Sequence, residues 1–156
     1  MSNREEIISQ LNDLIEINND RIKGYEKAIE SLEPRDADLR VLFESMISNS
    51  RIHKSELKEN VLLLAGEPEK GNTVMGSIYH AWMDFKSSFT VDERTNALDV
   101  CEFGEDAALK AYSTVLNSDV AIPLATRQML EDQKALLKND HDEIKKLRDL
   151  EHKLHE

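Results

Sequence analysis

Apolar residues recur along this chain at alternating steps of three and four, the spacing that gathers side chains on one face of an α-helix. The first stripe is Ile8, Leu11, Ile15, Asn18, Ile22, Tyr25, Ile29 and Leu32, with Asn18 its one polar member. Ser2-x-x-Glu5 ahead of it is a capping-box pattern and Pro34 stops it, so the spacing predicts a helix over about 3–32. A second stripe, Leu39, Leu42, Met46, Ser50, His53, Leu57, Val61 and Leu64, predicts a helix over about 36–65. Gly66 is its expected C-cap, with Pro68 beyond. Ser50 and His53 interrupt this stripe near its middle.

Residues 67–92 behave differently. A polar turn, Glu67 to Gly71, precedes Met75, Ile78, Trp82, Phe85 and Phe89, which share one face of a shorter packed helix near 73–88. Thr90-x-x-Glu93 is a second capping box and opens a helix over about 92–117. On it Leu98, Cys101, Glu105, Ala108, Tyr112 and Leu116 lie together, flanked by Glu102. Asn117-Ser118-Asp119 is a turn, and the face Leu130, Gln133, Leu137, His141, Ile144 and Leu147 predicts a last helix over about 121–154. Lys145, Lys146, Arg148 and Lys153 suit its C-terminal end.

Short links make antiparallel hairpins of helices one with two and three with four, whereas a long connection joins parallel neighbours. The expected architecture is a single all-α domain, 1–156. It is an up-down-down-up four-helix bundle with a short extra helix in the crossover between helices two and three. A chain of 156 residues suits one core of that kind. A net charge of −11 disfavours a nucleic-acid backbone or an anionic membrane as partner. The longest apolar run, Val61 to Ala65, is too short to span a bilayer. A lone cysteine, Cys101, and a first stretch charged throughout fit a reducing cytoplasm. No Gly-rich phosphate loop, nucleophile elbow or paired-cysteine zinc motif occurs, so no catalytic or organic-cofactor residue is assigned.

Each long helix places a polar residue inward near mid-length: Asn18, Ser50 with His53, Glu102 with Glu105, and His141. An ionised carboxylate on an apolar face is costly unless paired, hydrogen-bonded or bound to metal. Folding the hairpins about their turns sets His141 within about one helical turn of Glu102 and sets Glu105 opposite Gln133. His53, Glu56, Glu102, Glu105 and His141 are therefore the candidate metal ligands, for iron or zinc. The alternative is a structural polar layer with Asn18 and Lys138. In it Lys138 or Arg51 pairs with one glutamate, Gln133 or Tyr25 hydrogen-bonds the other, and Glu56 serves His53. His80, His152 and His155 lack partners at metal spacing and are expected in solvent.

The stretches Leu11–Tyr25 (LNDLIEINNDRIKGY), Tyr79–Thr90 (YHAWMDFKSSFT), Glu105–Tyr112 (EDAALKAY) and His141–Arg148 (HDEIKKLR) resemble the ferritin-like superfamily. In particular they are similar to a bacterial family of small rubrerythrin-related four-helix-bundle domains of unknown function. The resemblance implies the ferritin-like fold. Iron-binding members use a glutamate on each of two helices and a Glu-x-x-His on each of the others. Here helix three reads Glu102-x-x-Glu105, but helix two reads Ser50-Arg51-Ile52-His53 and helix four Lys138-Asn139-Asp140-His141. Helix one offers Asn18 or Ile22. Anionic bridging ligands hold two cations together, so losing them disfavours a working di-iron oxidase. The expected role is non-catalytic, through partner binding, self-association or stress physiology. The alternative is a metal-binding or redox protein with a degenerate mono- or di-metal centre. A homo-oligomer stays open, and no protein partner is identified.

Overall fold

In a computed structural model the described residues are 2–69 and 92–154. They form four long helices: α1 (Asn3–Glu30), α2 (Ala37–Leu63), α3 (Glu93–Leu116) and α4 (Leu124–Leu154). The short helix expected near 73–88, with Trp82 and Phe85, lies outside the described residues. A 3-10 turn at Pro34–Asp36 leads into α2, using the fixed φ of proline at its start.

The helix ends follow from local chemistry. Ser2 caps α1 by accepting the Glu5 N–H at 3.2 Å. Thr90 of the expected capping box lies outside the described residues, and the cap of α3 is Asp92, whose carboxylate accepts the Thr95 N–H at 2.8 Å. A negative charge there also suits the positive end of the helix dipole. At the end of α2 the left-handed residue is Ala65, with φ of 61°, not Gly66. The Ala65 N–H bonds the Leu62 carbonyl and the Gly66 N–H the Val61 carbonyl, both at 2.9 Å, which closes the helix. Gly66 is instead required for space, because a Cβ there would lie 2.8 Å from the Ile8 side chain.

Cross-helix contacts set the directions. Asn18 meets Tyr112 and Arg21 meets Glu105, so α1 and α3 are antiparallel. Asn60 meets Thr126 and Asn49 meets Asp140, so α2 and α4 are antiparallel as well. With α1 and α2 joined as a hairpin, α2 and α3 run the same way. The result is the expected four-helix bundle, with up-down-down-up order. No strand occurs among the described residues, and none of their helices is long and apolar enough to cross a membrane.

Two apolar clusters fill the bundle. One, near the Pro34 turn, holds Tyr25, Phe43, Met46, Leu98, Cys101 and Ile144. The other, toward the opposite end, holds Leu11, Ile15, Leu57, Val61, Leu130 and Leu137. Arg94 fastens the first end, reaching Asp38 at 2.7 and 2.9 Å, Asp36 at 3.2 Å and Glu151 at 2.7 Å. Between the two clusters lies a layer of buried polar side chains.

A non-glycine residue held in the left-handed region carries a cost of about 1 kcal/mol. Ala65→Gly should therefore raise unfolding stability by up to about 1 kcal/mol. Gly66→Ala should lower it by forcing Ile8 aside. Urea denaturation of the two variants checks both signs.

Candidate functional site

At the centre of the polar layer is Arg21 of α1, whose side chain is fully buried. Its Nε donates to Glu105 Oε1 at 2.8 Å, and its Nη2 lies 2.6 Å from the same oxygen. Nη1 donates to Ser50 Oγ at 2.6 Å, and Nη2 reaches Asp140 Oδ2 at 3.3 Å. The guanidinium also stacks over the Tyr25 ring, 5.7 Å from its centroid. Tyr25 donates its hydroxyl to Glu105 Oε1 at 2.7 Å. One side chain of α1 thus touches α2, α3 and α4.

Glu105 is fully buried, and its other oxygen, Oε2, has no hydrogen-bond partner among the described residues. Burial pushes the Glu105 carboxyl above its usual range, against the lowering by Arg21 and Tyr25. Burial likewise raises Asp140, with Arg21 and Asn49 pulling the other way. For Arg21 burial disfavours the charge, but Glu105 and the neighbouring groups outweigh it, so the guanidinium is held cationic. One cation therefore serves two carboxylates in a desolvated layer.

A second run of polar groups lies alongside. Asn18 donates to the Tyr112 hydroxyl at 2.9 Å, and Tyr112 donates to Gln133 Oε1 at 2.6 Å. Gln133 in turn donates to Glu56 Oε1 at 3.0 Å and to the His53 carbonyl at 3.2 Å. The His53 ring is buried, and neither ring nitrogen has a hydrogen-bond partner among the described residues. Burial, and then the charge of Arg21, lower its pKa to about 4, so the ring is neutral near neutrality.

The five candidate ligands do not meet at one point. Glu105 faces Arg21 and Tyr25 rather than Gln133. His53 borders Arg21, while Glu56 binds Gln133 and not the His53 ring. Glu102 and His141 do come together, with Nε2 3.4 Å from Oε1, and Asp106 joins them at 2.6 Å from Nε2. Burial and the nearby Asp106 raise the Glu102 carboxyl, against Arg148 at 3.0 Å.

Lys138 is not the partner of Glu102: it is largely exposed and binds Asp142 at 2.6 Å. On α4 Leu137 and His141 are buried as expected, and Asp140 beside His141 is buried as well. His152 is not simply solvated, since its Nε2 lies 2.8 Å from Asp99 Oδ1.

Arg21 and Asp140 are the residues that periodicity alone missed. Arg21 falls three residues after Asn18 and four before Tyr25, on the face those two define. The interior donors do not fit a di-iron centre. Among the described residues the groups around Arg21 are Glu105, Asp140, Ser50 and His53, and the guanidinium takes up the carboxylate oxygen that a bridging ligand would offer. A cation 2.6 Å from Oε1 competes directly with metal for that oxygen.

A family described as Domain of unknown function (DUF2383) matches residues 6–118. No curated protein matches this chain. Among solved structures, a mutant of Dps1 from Mycobacterium smegmatis superposes with a TM-score of 0.77 at 11% identity, over 95% of this chain and 99% of that one. A ferritin-like, diiron-carboxylate protein from Bacillus anthracis str. Ames gives a TM-score of 0.71 at 23% identity, with the same coverage. At these identities the likeness concerns the fold.

Removing one partner of a buried ion pair strands the other charge. Arg21→Ala should therefore cost about 3–5 kcal/mol, read by urea denaturation. Arg21→Met combined with Glu105→Leu and Asp140→Asn should recover most of that loss, because none of the three charges is then left unpaired. His53 titrates near 6.5 when unfolded and at about 4 when folded. Its contribution is thus fully present above pH 6.5 and fades as the pH falls toward 4, by up to roughly 3 kcal/mol. The acid side of the stability–pH curve should be flatter for His53→Leu than for the parent chain over that window.

Proposed function

The chain belongs to the DUF2383 family of ferritin-like domains, and on that premise we propose that it is a non-catalytic helical bundle working through association. The observation that carries this reading is the position of Arg21, with Nη2 2.6 Å and Nε 2.8 Å from Glu105 Oε1, both side chains fully buried. In metal-binding bundles of this architecture inward carboxylates share the charge of bound cations. Here a side chain of the protein itself supplies the positive charge and satisfies Ser50, Glu105 and Asp140 together. The buried polar layer then acts as a register pin for the four helices.

Association is supported by apolar side chains left at the surface. Leu62, Leu63 and Leu124 are 61%, 78% and 82% exposed. All three belong to the bundle end where Asn60 of α2 meets Thr126 of α4. Self-association or a protein partner would cover such residues, and a soluble cytoplasmic setting is part of the same reading. The acidic surface argues against nucleic acid.

The test is iron chemistry. Ferrous iron added to the chelator-treated protein in air should be oxidised no faster than in protein-free buffer, measured by oxygen uptake. Rapid uptake, together with two retained irons per chain that disappear in Glu105→Gln, would establish an interior redox centre and overturn the reading.

A further inference from the structure

A second group of donors lies apart from the arginine layer, between α3 and α4. Glu102 and Asp106 are one turn apart on α3, and His141 of α4 reaches both. One donor atom from each residue lies within 4.8 Å of the other two. His141 Nε2 is 2.6 Å from Asp106 Oδ1 and 3.4 Å from Glu102 Oε1.

The surrounding residues decide which atoms converge. His141 Nδ1 lies 3.1 Å from Asp142 Oδ1, and Lys138 Nζ holds that carboxylate at 2.6 Å. With the ring proton on Nδ1, that nitrogen donates to Asp142 and the neutral ring presents the Nε2 lone pair on its other side, the form that binds a metal ion. His141 is only 8% exposed, and Nε2 makes no hydrogen bond of good geometry. Arg148 Nη1 sits 3.0 Å from Glu102 Oε2, which leaves Oε1 turned toward His141. An imidazole lone pair and two carboxylate oxygens directed at one point repel each other unless a proton or a metal ion lies between them.

We propose that Glu102, Asp106 and His141 form a divalent-cation site that takes Zn²⁺, with water as the fourth ligand. One nitrogen and two oxygens suit zinc, whose tetrahedral geometry at roughly 2.0–2.1 Å sets donors about 3.3 Å apart. The His141–Glu102 separation of 3.4 Å already matches. Asp106 is more than half exposed, so its carboxylate swings back from 2.6 Å at little cost. Asp142, Lys138 and Arg148 are positioning residues, fixing the ring tautomer and the oxygen that Glu102 offers. The site occupies the face between two helices rather than the bundle centre, and it stands whether or not the interior is free of metal.

The test titrates zinc chloride into the tag-free, chelator-stripped chain by isothermal titration calorimetry near pH 7.5, with a parallel thermal melt. The expected result is one equivalent bound per chain and a zinc-dependent rise in Tm. Asp106→Asn, an exposed change that preserves the fold by circular dichroism, should weaken binding by at least about tenfold. His141→Gln should remove it and the rise in Tm. If only a proton bridges these groups, no saturable one-to-one binding appears, and the proposal is overturned. Zinc binding of equal strength in Asp106→Asn and His141→Gln overturns it equally, by placing the ion elsewhere.

Discussion

A guanidinium cannot be left in an apolar interior without countercharge, and that requirement governs the middle of this bundle. Arg21 is fully buried and meets Glu105 of α3, Ser50 of α2 and Asp140 of α4. Each contact fixes the height of one helix against α1. A slip by one turn, about 5.4 Å, would strand a charge in a desolvated layer, at a cost of several kcal/mol. Apolar clusters on either side supply most of the burial, but they tolerate sliding better than a forked ion pair does. The polar layer therefore selects one packing among several that the hydrophobic stripes permit.

In the proposed reading the same interaction supplies the positive charge that metal brings to the interior of such bundles. Two iron ions bring a high positive charge and need several bridging carboxylates. A guanidinium brings a single charge, so Glu105 and Asp140 suffice and Ser50 replaces an anion with a hydroxyl. Neither carboxylate is fully compensated, which is why burial raises both. Tyr25 softens the imbalance by donating to Glu105 and offering its ring to Arg21. His53, its ring buried without hydrogen-bond partners beside a cation, stays neutral.

Much of the fold was legible in the sequence because helix periodicity and capping are local. The expected 3–32 became Asn3–Glu30, and 36–65 became Ala37–Leu63 after a 3-10 turn. The inward stripes were legible too, with Asn18, Tyr25, Ser50, His53, Glu105, Gln133 and His141 all buried; what stayed hidden was a charged residue beside the stripe on α1 and another on α4. Arg21, next to Ile22 of the stripe, drew no notice because a charged residue ordinarily belongs in water; the partners that hold it inside come from three other helices. On α4 the expected Leu137 and His141 are both buried, and Asp140 beside His141 went unseen for the same reason as Arg21. Tyr25 was foreseen as one holder of a glutamate, and the proximity of His141 to Glu102 followed from hairpin arithmetic. Asp106 escaped notice because an exposed acid on an acidic surface carries no signal of its own.

In the proposed reading the Arg21 side chain occupies the place of interior metal. Anomalous diffraction from crystals soaked anaerobically in ferrous iron tests it most directly. The account predicts no iron peak between Glu105 and Asp140, with the Arg21 guanidinium in density between them. A pair of iron peaks there, with Arg21 turned away from Glu105, would contradict it.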